Sequence, residues 1–326
     1  MQGLASYVVQ RLLWAPFILL AVSLVTFALG RFGPGDPIEI LQGQYRDPEV
    51  RARIAEERGY NDNFFVQYGR YMKGVFQGDL GTSLTYRGLP VDDVIFPRLW
   101  VTVQYNFVAL VIIFAVGIPV GTWAALKQGT WLDPLAIGFF LFFASVPVVI
   151  TIPILQWLFA LKLGWLPSGG WEVREFFGGR LELGILDKRI ILPMLVLTLP
   201  GVAGVARYMR AQVLEVLDQD YVRTARSKGL REFTVVSRHI ARNALLPIWT
   251  IMGFAMVGLL GGSIFLETLL GIPGIGSFFF EAVFNRDYDS IMALVLLTST
   301  AFVVANLLVD LTYGFIDPRI RLGSRG

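Results

Sequence analysis

Cysteine is absent from the sequence and histidine occurs once, at His239. Disulfides and thiolate metal sites are thereby excluded, and one imidazole cannot build a histidine-ligated metal centre within the chain. Charge is also scarce. Asp, Glu, Lys and Arg make up 16% of the 326 residues against 55% hydrophobic ones, and mean hydropathy is +0.59. Such a chain has hydrocarbon rather than water as its principal solvent. The net charge of +3 and pI near 9.1 then reflect basic loops on the cytoplasmic side, not a nucleic-acid surface. No small-residue cleavage site follows the first apolar run, which reads as a retained span rather than a signal peptide.

A helix needs roughly 20 apolar residues to cross the hydrocarbon core. Six long runs lack Asp, Glu, Lys and Arg: 12–29, 99–126, 135–161, 190–206, 244–266 and 291–309, the last expected to continue past Asp310 to Ile316. They predict an all-α integral membrane protein with six transmembrane helices. The resulting organisation is an N-terminus and first span over 1–29, an extracytoplasmic insertion over 30–98, a core of spans two to six over 99–316, and a tail over 317–326. With both termini in the cytoplasm, segments 1–11, 127–134, 207–243 and 317–326 hold 13 Lys and Arg against 6 Asp and Glu, a net of +7. The opposite loops, 30–98, 162–189 and 267–290, hold 15 against 18, a net of −3. The bias of basic residues toward the cytoplasm favours that orientation.

The insertion opens with the rigid turn Gly33-Pro34-Gly35-Asp36-Pro37 and predicts two short helices, over 47–58 and 64–76. It reads either as a cap on the outer face or as a docking surface for a soluble partner. Segment 162–189, rich in Gly and Trp, predicts a loop with some hairpin character. In the basic segment 207–243, Asp220 is placed to cap a helix over 221–228 that Gly229 ends. A second helix is expected over 232–245, with Val235, Val236 and Ile240 on one side. Two short helices joined at a glycine make a rigid knob. A plain basic loop touching anionic lipid would account for the charge but not for cap, glycine and patterning together.

Polar residues inside the expected spans are Gln104, Asn106, Gln156, Ser263, Asn306 and Asp310. Each must meet protein or water rather than lipid, so they either bond between helices or line a pathway. Asp310 is expected to pair with Arg11, which sits at a similar depth in the first span. Gly253, Gly258, Gly261 and Gly262 predict close helix packing at the fifth span. Beyond it, a turn containing Pro273, Gly274 and Gly276 leads into Phe278 and its neighbours, an outer gate or an aromatic anchor at the interface.

The run Asp220-Tyr221-Val222-Arg223-Thr224-Ala225-Arg226-Ser227-Lys228-Gly229-Leu230, followed by Arg242-Asn243-Ala244-Leu245-Leu246-Pro247, resembles the cytoplasmic coupling motif of ABC import permeases of the dipeptide, oligopeptide and nickel type. The general motif places Glu-Ala-Ala before the glycine; here Arg223-Thr224-Ala225 stand there, a departure usual for the peptide-type variant. Six further segments of the resemblance occur in order: Pro34-Gly35-Asp36-Pro37, Gly78-Asp79-Leu80-Gly81, Glu267 with Ile272-Pro273-Gly274-Ile275-Gly276, Arg286-Asp287-Tyr288, Asn306 to Asp310, and Asp317-Pro318-Arg319-Ile320-Arg321.

The resemblance implies the type I ABC importer permease fold, in the plasma membrane of a bacterium or archaeon. It further implies half of a translocation pathway completed by a second homologous permease, two cytoplasmic ATPase subunits docking on Asp220 to Gly229, and an extracytoplasmic solute-binding protein. ATP-Mg would be held by the ATPases, and this chain would bind no cofactor and catalyse nothing. In agreement, the sequence contains no Gly-x-x-x-x-Gly-Lys-[Ser/Thr] phosphate loop. Lipid is the remaining expected partner and nucleic acid is not one. Peptides are the default cargo, with nickel complexes, glutathione or sugars as alternatives. A secondary transporter would show internal repeats and a midplane charge, and a membrane-embedded enzyme a nucleophile and base or a metal cluster in the spans; the sequence offers neither.

Overall fold

The computed structural model describes residues 4–32, 48–57, 59, 61–86, 88–176 and 181–316, most of them helical. In chain order the helices are α1 (Leu4–Phe32), α2 (Pro48–Glu57), α3 (Phe64–Phe76), α4 (Val91–Leu126), α5 (Leu132–Ser145) and α6 (Val148–Leu155). After the hairpin of β1 (Arg174–Phe176) and β2 (Leu181–Leu183) come α7 (Ile191–Leu217), α8 (Asp220–Ser227), α9 (Glu232–Thr234), α10 (Arg242–Val257), α11 (Ile264–Leu270), α12 (Ile275–Phe284) and α13 (Tyr288–Ile316). They divide into two compact units. The first holds Met1–Trp100, Leu260–Ile264 and Pro273–Gly326, the second Val101–Leu259 and Phe265–Ile272.

In the first unit α1 packs along α13. Phe27 of α1 is buried among the rings of Phe64, Tyr68 and Tyr71 of α3, at centroid distances of 5.4 to 5.5 Å. The helix α3 begins where Asn63 Oδ1 accepts a hydrogen bond from the Phe65 amide, a side-chain cap on an otherwise unpaired donor. A separate core joins Val91, Val94 and Ile95 at the start of α4 to Ile275 and Phe278 of α12 and to Ala293 and Leu294 of α13. The approach of α12 to residues 263–264 depends on Gly276, since a Cβ there would stand 2.8 Å from the Ile264 nitrogen.

The second unit is built on the crossing of α4 and α7. A Cβ at Gly121 would stand 2.3 Å from the Ala206 carbonyl oxygen, and one at Gly117 would stand 2.8 Å from Val205. Glycine at both positions is what lets the backbones meet. One core gathers Tyr105, Ile152, Leu192, Leu266 and Leu270; another gathers Met209, Val213, Val222, Val235, Ile240 and Ile248. The expected hairpin is β1 paired antiparallel with β2, with Glu175 opposite Glu182.

Among the described residues, five helical stretches are long and apolar enough to cross a membrane: Leu13–Phe32, Val91–Leu126, Lys188–Leu217, Glu232–Leu260 and Tyr288–Leu307. The third expected run is a pair, Leu132–Ser145 and Val148–Lys162, bent by 99°; counting it as one span gives six, and Ile264–Leu270 with Ile275–Phe284, a second bent pair of sufficient apolarity, would make seven if it too crossed. The first bend falls at Pro147, which has no amide to donate and pushes Val146 into an extended conformation. The fifth run ends early. Helix gives way to a 3-10 turn at Gly258–Leu260, and Leu266 belongs to α11, so Gly253 lies within α10 while Gly258, Gly261 and Gly262 stand where the helix stops. The expected helix over 232–245 is a short turn, then a π-helical stretch Val235–Ala241 that runs without a break into α10.

Candidate functional site

The knob lies within the second unit. The helix α7 runs 11 residues past the end expected for its span, to Leu217, and the chain turns through Asp218 and Gln219 into α8. The cap position is Gln219, whose backbone is extended, and no side chain caps the helix. The expected cap by Asp220 is therefore corrected: its carboxylate is fully exposed, 3.8 Å from Arg223, inside the first turn, where its charge still suits the helix dipole. Val222 and Ala225 face inward and are buried on Met209, Val213, Val235 and Ile240. Gly229 closes the helix with φ of +72°, the left-handed conformation that glycine adopts without strain. Across that turn the Arg226 guanidinium donates to both oxygens of Glu232, at 2.8 and 3.4 Å. Asn243 Nδ2 donates to the Tyr221 hydroxyl at 3.0 Å.

The outward side of the knob presents Asp220, Tyr221, Arg223, Thr224, Ser227 and Lys228. Beside it stand Leu230 and Phe233, the latter 82% exposed. Sequence reasoning missed this apolar pair because neither belongs to a periodic pattern. The result is a rigid, basic, partly apolar surface with no nucleophile–base pair. Among the described residues no group of three His, Asp or Glu stands close enough to hold a metal ion.

The intraspan polar residues have specific partners. Gln104 donates to the Glu182 carbonyl and accepts from the Gly184 amide, holding the hairpin. Asn106 donates to the Leu259 carbonyl, in the 3-10 turn that ends the fifth span. Gln156 donates to the carbonyls of Ser168 and Leu269, at 2.7 and 3.3 Å. Ser263 is half-buried at the start of α11, under Gly276. In the first unit Asn306 lines, with Gln10, Arg11 and Trp14, a cavity of about 450 Å³ between α1 and α13. The side chain of Asp310 lies outside the described residues, and so does the pairing with Arg11. Among the expected gate residues, Pro273 and Gly274 form the turn, the Ser277 hydroxyl bonds to both backbone groups of Gly274, and Phe278 is fully buried under the Arg98 guanidinium at 5.1 Å.

Several further polar contacts join residues far apart in the sequence. Glu267 is fully buried and accepts from Tyr105 Oη at 2.5 Å and Thr102 Oγ1 at 3.2 Å. Asp287, also buried, accepts from Ser83 Oγ, the Thr85 amide, and the hydroxyl and amide of Ser290. Its spacing to Ser290 at the start of α13 is a cap pattern legible in sequence. The bidentate pair of Arg210 with Asp133, at 2.6 and 2.5 Å, joins residues 77 apart and leaves no such trace. Arg98 also bonds to Tyr86 Oη, which donates to Glu281 at 2.8 Å. Burial first, and then that carboxylate, push the Tyr86 phenol above its ordinary pKa.

Residues 117–322 match the family described as binding-protein-dependent transport system inner membrane component, and residues 4–91 match the N-terminal family of such membrane components. The chain belongs to this family of transport permeases. It is 37% identical to the dipeptide transport system permease protein DppB of Alkalihalophilus pseudofirmus, over 97% of this chain and 99% of that protein. It is 36% identical to the oligopeptide transport system permease protein AppB of Bacillus subtilis, over the same shares. A solved structure, that of the inward-facing MetNI methionine ABC transporter, matches with a TM-score of 0.50 over 71% of this chain and 97% of the other, at 18% identity. At that identity the likeness establishes the fold alone, which is that of type I ABC importer permeases. The family is a transport component rather than an enzyme, as the resemblance implied, and the permease has the membrane helices such a role requires.

Proposed function

We propose that this permease subunit forms half of the translocation pathway of a peptide importer in a bacterial or archaeal plasma membrane. Both termini and segment 207–243 face the cytoplasm, and 30–98 lies outside. A second homologous permease completes the pathway, two ATPase subunits supply ATP-Mg chemistry from below, and a solute-binding protein delivers cargo from above. The peptide assignment is supported by the relatives named for dipeptides and oligopeptides at 36 and 37% identity.

The observation that carries the coupling role is the seating of α8. An importer needs a stiff element that passes ATPase closure to the membrane helices, because a flexible link would dissipate the motion as loop entropy. The burial of Val222 and Ala225, the left-handed Gly229 and the Arg226–Glu232 bridge make Asp220 to Gly229 such an element, packed on α7 and on the helix that leads into α10. Exposed Phe233 and Leu230 supply the apolar surface that a docking partner would cover. In this reading α11, the Pro273–Gly274 turn and α12 form the outer gate, with Gly276 and Phe278 fixing its packing. Gln104, Asn106 and Gln156 hold loops and helix ends rather than cargo.

Purification of the tagged chain from its native membrane tests the assembly, and vesicle uptake tests the cargo. A second permease and two ATPases are expected to copurify, and uptake of labelled di- or oligopeptides is expected to require ATP and the solute-binding protein. Uptake of nickel, glutathione or a sugar with no competition from peptides would overturn the peptide assignment. Uptake by the chain alone, driven by an ion gradient, would overturn the coupling role.

A further inference from the structure

We propose that α3 is an interfacial helix seated in the outer leaflet, with phospholipid covering its exposed side. The proposal rests on the orientation given above, in which α1 is the first span and Phe32 marks its outer end. The sequence places 30–98 outside the bilayer as a polar insertion, yet α3 packs on the span itself. Tyr68 Oη bonds to Ser23 Oγ at 2.8 Å and to the Leu20 carbonyl at 3.4 Å. Both partners lie inside the apolar stretch Leu13–Phe32. Leu20 is 12 residues from Phe32, which at 1.5 Å per residue is about 18 Å below the end of the span. A helix whose side chain reaches that depth lies at the level of lipid, not in the water above it.

Its outward side has the composition such a position demands. Phe65 is 72% exposed, Val66 54% and Phe76 84%, while Arg70 and Lys73 are exposed between them. Apolar anchors with interspersed cations are the pattern of helices lying in the headgroup boundary, where Lys and Arg reach phosphate as the rings enter the acyl region. A stack of rings also continues the surface of the span onto α3. Phe32, itself exposed, stacks on Phe64 at 5.5 Å, and Phe64 meets Phe65 at 5.4 Å. The apolar surface of α1, with exposed Val25 and Leu29, is lipid-facing by the same composition. Lipid covering both requires no further partner, whereas a protein partner would have to match Lys73 with an acid of its own; Arg70 already pairs with Asp62 at 2.6 Å.

The natural absence of cysteine makes the test direct. Phe65→Cys, Phe76→Cys and Asp62→Cys variants of the assembled importer, each carrying a bimane label, are reconstituted in phosphatidylcholine with or without brominated acyl chains. Loss of fluorescence to brominated lipid is expected to be several-fold greater at Phe65→Cys and Phe76→Cys than at Asp62→Cys, with the reverse order for aqueous iodide. Equal quenching at all three positions would overturn the proposal. So would protection of Phe65→Cys and Phe76→Cys from both quenchers, which would mean that protein covers the face. Reaction of Asp62→Cys with an impermeant maleimide only from the cytoplasmic side would instead overturn the orientation, and the outer-leaflet assignment with it.

Discussion

A Cβ at Gly229 would meet no atom within 4 Å, yet the backbone there holds φ at +72°, so a substitution costs conformation rather than space. The penalty for alanine is about 1 kcal/mol, enough to loosen the Arg226–Glu232 bridge without unfolding the chain. Ala225 differs. It is buried on the Met209 and Val235 cluster, so Ala225→Asp acts on the chain itself by placing an unpaired charge against apolar side chains. Ala225→Asp is therefore expected to release α8, making a Val222→Cys thiol reactive where the parent thiol is shielded. An unreactive thiol at Val222 in that background would contradict the packing described. The Asp133–Arg210 pair gives a second test. Arg210 keeps part of its side chain in contact with solvent and Asp133 little, so breaking the pair is expected to cost about 2–3 kcal/mol, below the value for a fully buried pair. Asp133→Ala and Arg210→Ala should each lower the melting temperature of the purified importer, and their double mutant should lose less than the sum. Full additivity would show that the two side chains do not act together.

Helices reach beyond their apolar runs here, and that governs what the sequence discloses at the scale of elements. The charge-free stretches locate the spans but not their ends. The helix α4 starts eight residues early at Val91, with Asp92 and Asp93 in its first turn, because a helix does not stop where the bilayer does. The short helices of the insertion are legible almost to the residue, since Asn63 and Pro48 mark their starts and turn residues their ends. The break at Pro147 is hidden in an unbroken apolar run, and the stop at Gly258 resembles a packing motif. The knob is legible through Gly229 and the pattern of Val235 and Ile240, but its cap is one residue off, and the exposure of Phe233 is a property of the fold alone. Glu267 illustrates a contact between elements that no local pattern reveals. Its removal leaves the Tyr105 hydroxyl without its acceptor, at a cost of about 1–3 kcal/mol, and frees α11 from α4. In a Glu267→Ala variant, a cysteine placed at Ile272, 1% exposed in the parent, is expected to become reactive; continued shielding would show that apolar packing alone holds the turn.

For the whole molecule, the +7 against −3 division of charge is what supports the proposed orientation, and single cysteines test it. Ser227 is exposed on the knob and is a sound cytoplasmic reporter. Ser83, although in the insertion, is fully buried against Asp287, so Gln77, which is exposed, is the better outer one. Impermeant reagent should modify Ser227→Cys only from the cytoplasm and Gln77→Cys only from outside, and the opposite pattern would overturn the orientation. The central claim, that α8 and its surroundings couple ATPase closure to the membrane helices, is tested most directly by ATP hydrolysis stimulated by loaded solute-binding protein in reconstituted vesicles. Two variants suffice: Gly229→Val, which strains the turn, and Phe233→Glu, which charges an exposed position and leaves the packing intact. Both are expected to insert and assemble their spans, yet to lose most of the stimulation and the uptake that depends on it. Stimulation at the parent level in both variants would contradict the claim and leave the segment a basic loop beside the membrane.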